Sequence, residues 1–222
     1  MSNKTPDLNF QHIIANFNIE GDILKVKPFG SGHINDTFLV KTSAGGRSEY
    51  LLQKINHFVF KDIVGLMSNM NVITDHLKEK VRNTGDPDKE VLTPVKCNNG
   101  KYYCQDNDGN YWRMTYFLEN TRSYDVVTTG QQAYQGGVAF GRFQRLLCDL
   151  DPGTLVHTIP DFLNMQKRED DFRIAIANDV ADRAEKVKTE IDFLLSRAGV
   201  MKEILEMGKA GLLPLRITHN DT

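Results

Sequence analysis

The spacing of apolar positions changes along the chain, and those changes mark its elements. Phe10, Ile13, Ile14 and Phe17 share one helical face behind Thr5-Pro6, a cap and first-position pair that starts helices, and Gly21 ends this element. From Ile23 to Phe29 and from Thr37 to Thr42 the pattern is strand-like, with β-branched and aromatic residues. Glu49 to Ile55 predicts a third strand. Ile63, Leu66, Met67, Met70, Ile73, Leu77 and Val81 then hold the spacing of a buried helical stripe, which Asn83-Thr84-Gly85-Asp86-Pro87 stops. Val91 to Val95 and Lys101 to Gln105 predict a hairpin around Asn98-Asn99-Gly100. Beyond the turn at Asp106-Asn107-Asp108-Gly109, Tyr111 to Leu118 predicts the last strand of about five.

After Glu119 the period is helical. Val138, Phe143, Leu146, Leu147 and Leu150 mark a helix over roughly 131–149, which Asp151-Pro152-Gly153 ends. Residues 161–168 are polar and predict a loop. Phe172, Ile176, Val180, Val187, Ile191 and Leu194 predict one long helix over 172–196, and 200–207 predicts a shorter one. Leu213, Leu215 and Ile217 alternate as a strand leading into His219-Asn220-Asp221-Thr222. A strand-rich part (1–118) followed by a helical part (119–222) is an α+β arrangement with a hinge near residue 118.

Composition narrows the class. Forty per cent apolar residues across 222 supports a packed core, and a net charge of −2 leaves no footprint for nucleic acid. Cys97, Cys104 and Cys148 are odd in number and lack a CxxC spacing, so neither a disulfide framework nor a zinc site is expected. No basic start with an apolar stretch opens the chain, and no run approaches the ~20 apolar residues of a membrane span. A cytoplasmic protein without nucleic-acid or membrane partners is the expectation.

Two stretches carry candidate chemistry. Gly30-Ser31-Gly32 joins two strands, and its backbone N–H groups could cradle phosphate oxygens with no Cβ in the way. In a dinucleotide fold such a loop opens a helix. Here it opens Thr37-Phe38-Leu39-Val40, and strand, glycine loop, strand is how protein kinases cover ATP phosphates. An ordinary tight hairpin fits the same residues. His219-Asn220-Asp221 is an HxD triplet, whose Asp in kinases accepts the proton of the attacking hydroxyl. A solvated chain segment fits it equally.

Taken together, Phe29-Gly30-Ser31-Gly32-His33-Ile34-Asn35-Asp36-Thr37-Phe38, Tyr50-Leu51-Leu52-Gln53-Lys54-Ile55-Asn56, Ile159-Pro160-Asp161-Phe162 and Ile217-Thr218-His219-Asn220-Asp221-Thr222 resemble the aminoglycoside phosphotransferase and choline kinase superfamily, most of all its N-acetylhexosamine 1-kinase group. The resemblance implies a two-lobed, protein-kinase-like fold. It also implies transfer of the ATP γ-phosphate to the anomeric hydroxyl of an N-acetylhexosamine. Gly30, Ser31, Gly32, His33, Asn35 and Thr37 would then form the phosphate loop. Tyr116, Phe117 and Leu118 would meet the adenine through their backbone, and Asp221 would be the catalytic base.

Two departures from the family pattern stand out. The third strand should offer a Lys to the phosphates. Alternation puts Gln53 there and Lys54 on the opposite face, so either Gln53 binds phosphate uncharged or the register slips and Lys54 does. Asn69 and Asn71 on the long helix favour an uncharged pair with Gln53. The family's Mg²⁺ ligands fall after the HxD motif and are expected beyond residue 222. The chain therefore resembles an N-terminal portion of such an enzyme, inactive alone, with apolar helical faces left for a missing continuation or for self-association. The alternatives are a kinase for choline, an amino alcohol or another sugar, and a non-catalytic remnant that binds nucleotide or a partner. A hydrolase lacks a nucleophile motif: no cysteine has a sulfatase signature and no GxSxG is present.

Overall fold

The computed structural model describes residues 10–43, 45–122 and 124–219. The chain is α+β and forms two compact units, Met1–Thr158 with Ile217–Thr222, and Ile159–Arg216. The first unit is built on one antiparallel sheet, ordered β1-β2-β3-β5-β4. Its strands are β1 (Ile23–Pro28), β2 (Asp36–Thr42), β3 (Glu49–Ile55), β4 (Cys104–Gln105) and β5 (Tyr111–Tyr116).

Strand alternation gives the sheet two different faces. Phe38, Val40, Tyr50, Leu52, Trp112 and Met114 point to one side and pack against Ile13, Ile14 and Phe17, at and just after α1 (Phe10–Ile14), as the main core. The other side carries Ile55, which packs on Ile63 and Met67 of α2 (Ile63–Val81), with Leu66, Met70 and Tyr111 partly buried around them. The expected helical stripe thus meets the sheet. Asp62 caps α2, accepting from the Gly65 N–H at 2.8 Å. A short helix the pattern did not announce, α3 (Pro87–Glu90), starts at the Asp86 cap, where Pro87 takes the first position.

The predicted hairpin over 91–105 is reduced. Its turn forms, with Gly100 at φ +80° and its N–H bonded to the Cys97 carbonyl. Residues 91–95 make only an isolated bridge, Pro94 opposite Thr115, because a proline has no N–H to continue a ladder. Trp112 Nε1 donates to Asp106 at 2.8 Å, tying the next turn to the core.

Helix α4 (Gly130–Leu146) begins at a Thr129–Gln132 capping box. It is fixed to the preceding helices by polar contacts: Arg142 pairs with Glu90 at 2.5 Å, and Asp149, just beyond α4, meets His76 and Lys80. Of its expected apolar face only Leu147 is buried.

The second unit contains α5 (Met165–Asn178), α6 (Lys188–Leu195) and α7 (Ala198–Lys209). The single helix expected over 172–196 is two, and the loop expected over 161–168 already contains the start of α5. The break lies at Asp179, which adopts φ +35° while its carboxylate accepts from the N–H groups of Arg183 and Ala184. Val180, expected to face inward, is 94% exposed as a result. Met165, Phe172, Leu194, Leu195, Ala198 and Met201 line a cavity of about 180 Å³. Lys202, then Arg173, hold the Glu169 carboxyl at its edge below the usual carboxylate range. Residues 213–217 are not a strand: no partner strand lies beside them among the described residues, and Leu215 is exposed.

Candidate functional site

The glycine loop stands between two paired strands. Val26 lies opposite Val40 and Pro28 opposite Phe38, and the Phe29 N–H bonds the Thr37 carbonyl at 2.9 Å. β2 follows, and no helix begins at Gly32, so the dinucleotide arrangement is ruled out. Gly30 needs its glycine, because φ is +83° there. A Cβ at Gly30 or Gly32 would meet no atom within 4 Å, so the space over this backbone is open. Residues 30–34 are exposed, including His33.

Side chains fix the loop at its two ends. Asn35 Oδ1 accepts from the Asn56 N–H at 2.9 Å, fastening the loop's return to the end of β3. Ser31 Oγ donates to Asp125 at 3.2 Å, and Phe29 meets the Phe117 ring edge-on at 5.4 Å. The loop therefore touches the segment after β5 twice, and that segment includes Phe117 and Leu118 of the expected adenine contact. There the Tyr116 N–H is taken by the Thr93 carbonyl and the Phe117 N–H by the Glu49 carbonyl. The Leu118 N–H has no hydrogen bond among the described residues, and its carbonyl accepts from Thr121 Oγ.

Behind the loop, the sheet register runs without a slip through Gln53 and Lys54. Gln53 pairs with Thr37 and Arg113, while Lys54 pairs with Asp36 and Trp112, so the register does not slip. Gln53 faces α2 and Lys54 the opposite side. Gln53 spans the row: its Nε2 donates to Thr37 Oγ1 at 3.0 Å, and its Oε1 accepts from Arg113 Nε at 3.0 Å. Among the described residues no hydrogen bond joins Gln53 to Asn69 or Asn71. Asn69 instead clamps the backbone of Val156, donating to its carbonyl at 2.8 Å and accepting from its N–H at 2.9 Å.

Arg113, Asp125 and Asn56 escaped the sequence reading. Arg113 was within reach of it: it lies on the same alternation phase as Tyr111 and Thr115, and is the one charged residue of β5. Asp125 sits in a stretch without periodicity, and nothing in the pattern singles it out.

His219 of the HxD triplet sets its ring edge-on to Phe140 and Phe143 of α4, at 5.5 and 6.0 Å. Asp221 lies outside the described residues. Among those described, no group of three or more His, Cys, Asp or Glu side chains is gathered that could hold a metal ion. Among them, too, no helix is long and apolar enough to cross a membrane.

Fold and site together define an α+β chain with an open glycine loop inside an antiparallel hairpin and a polar side-chain row behind it. No family model matches the sequence. Among solved structures the chain is similar to spectinomycin phosphotransferase, APH(9)-Ia, determined in complex with ADP and spectinomycin, at 13% identity and a TM-score of 0.37. The match covers 82% of this chain and 57% of that one. The likeness is weak, and the functional reading rests on the chain's own residues.

Proposed function

We propose that the chain is part of an ATP-dependent phosphotransferase acting on a small-molecule hydroxyl, with a two-lobed, kinase-like architecture divided near residue 118. The observation that carries this reading is the glycine loop. It lies between β1 and β2, opens no helix, and leaves room above Gly30 and Gly32 for a group that needs close backbone approach. Gly30, Ser31, Gly32, His33, Asn35 and Thr37 would surround the nucleotide's phosphates, and the Leu118 backbone its base. Phosphoryl transfer depends chiefly on positioning and charge stabilisation, so a loop held at both ends, by Asn35 and by Ser31, suits the task. Asp221 is proposed as the base that takes the acceptor's proton. The acceptor we propose, from the motifs of the loop and of the HxD segment, is the anomeric hydroxyl of an N-acetylhexosamine.

The test has two parts. ADP and ATP binding to this chain is measured by titration calorimetry; ATP binding no tighter than that of an unrelated anion removes the proposal. Turnover of the natural full-length gene product is then followed by ADP release with N-acetylhexosamines, other sugars, choline and amino alcohols. Release with an N-acetylhexosamine supports the acceptor assignment, and release with another compound alone replaces it. Asp221→Asn should abolish turnover and leave nucleotide binding unchanged, because the base acts on the acceptor.

A further inference from the structure

Arg113 is a partly buried cation with no carboxylate partner among the described residues. Its Nε donates to Gln53 Oε1, and its Nη1 reaches only the Met70 sulfur at 3.7 Å, a weak acceptor. No acidic side chain among the described residues pairs with it, and its side-chain partners are Gln53 and Met70. Burial lowers the affinity of its guanidinium for the proton. A charge removed from water is costly unless it is paired and hydrogen-bonded.

Its position supplies the anion. Arg113, Gln53 and Thr37 form one cross-strand row on the face toward α2, and Thr37 is the second residue of β2, directly after the glycine loop. A single amide group, that of Gln53, separates the guanidinium from the Thr37 hydroxyl. The amide is oriented by both neighbours, so it fixes where the guanidinium lies. Lys54, the only lysine on β3, is on the other face.

We propose that Arg113, aligned by Gln53, is the cationic group that binds the polyphosphate of the nucleotide in this chain, in the place where protein kinases use a β3 lysine. This rests on the nucleotide reading above. A planar guanidinium can engage two phosphate oxygens at once, which an ammonium cannot. The Gln at position 53 is then a consequence: a Lys there would repel Arg113, and a Glu would neutralise it.

The experiment compares ATP, inorganic tripolyphosphate and adenosine binding to the wild-type chain, Arg113→Met and Gln53→Glu, with thermal unfolding of each. Both variants should weaken ATP and tripolyphosphate by about tenfold or more, the loss expected for a charge-assisted contact, and leave adenosine unchanged. Gln53→Glu keeps the fold even if Arg113→Met does not, since its carboxylate pairs with Arg113. It should therefore raise the unfolding temperature while lowering polyphosphate affinity. A purely structural role predicts the higher unfolding temperature with affinity unchanged, and that result overturns the assignment while the nucleotide reading stands. So does a wild-type chain that binds adenosine and ATP equally. Absence of any binding to the wild-type chain overturns both.

Discussion

Gly30 and Gly32 stand two residues apart and should respond differently to a methyl group. Neither Cβ would collide with a neighbour, but only Gly30 holds a left-handed φ. Gly30→Ala should destabilise the chain by roughly 1–2 kcal/mol through backbone strain alone, and Gly32→Ala should leave stability nearly unchanged; urea unfolding of the pair measures the difference. Asp106 gives a pH dependence at the same scale. Burial opposes its ionisation, yet hydrogen bonds from Trp112, Asn110 and Asp108 outweigh it and hold the carboxyl below its usual value. A depressed folded-state value means the stabilisation is present above the unfolded pKa of about 3.9 and is lost as pH falls through the folded one. Acid unfolding of the wild type should therefore steepen below about pH 4, and Asp106→Ala should flatten it. At neutral pH the same substitution should cost roughly 1–3 kcal/mol, because the buried indole N–H of Trp112 loses its acceptor.

Among the elements, α2 shows how burial grades along one stripe. Met67 is 2% exposed and Leu66 only half-buried beside it. Met67→Ala should cost roughly 2–5 kcal/mol, and Leu66→Ala clearly less, as denaturant midpoints will show. That stripe, and strands β1, β2, β3 and β5, were legible to within two residues because helical spacing marks the α2 face and β-branched and aromatic residues between turns mark the strands. Elements whose limits depend on single polar groups or on distant partners were not. The 172–196 stretch keeps helical spacing across Ile176, Val180 and Val187, so periodicity runs through the break that the Asp179 carboxylate makes. Residues 213–217 alternate correctly, but alternation specifies a face and not a neighbour, and a strand needs the neighbour. At the site, the glycine loop was legible from composition. The partner of Gln53 was not, because it depends on the register between β3 and β5.

For the whole molecule, apolar exposure is uneven. Beyond Glu119 the buried hydrophobics among the described residues are Leu147, Ala198 and Ile217, while Val180, Ile204, Leu212 and Leu215 are each about two-thirds exposed or more. Surfaces of this kind associate with other apolar surfaces. The isolated chain should bind a hydrophobic dye and increase in mass with concentration by light scattering. A monomer at all concentrations with no dye binding would show that water alone covers these side chains.

The sheet order has a kinetic consequence. β1 is an edge strand, paired on one side only, and Pro28 near its end removes one more donor. β2 and β3 are each paired on both sides. The glycine loop thus hangs between a strand that can peel and a strand that cannot. In amide hydrogen exchange, residues 23–28 should open by local fluctuation well before 49–55, which wait for global unfolding. Parting the outermost ladder, together with the Ser31–Asp125 and Phe29–Phe117 contacts, would raise the loop's first half while β2 and β3 stay paired.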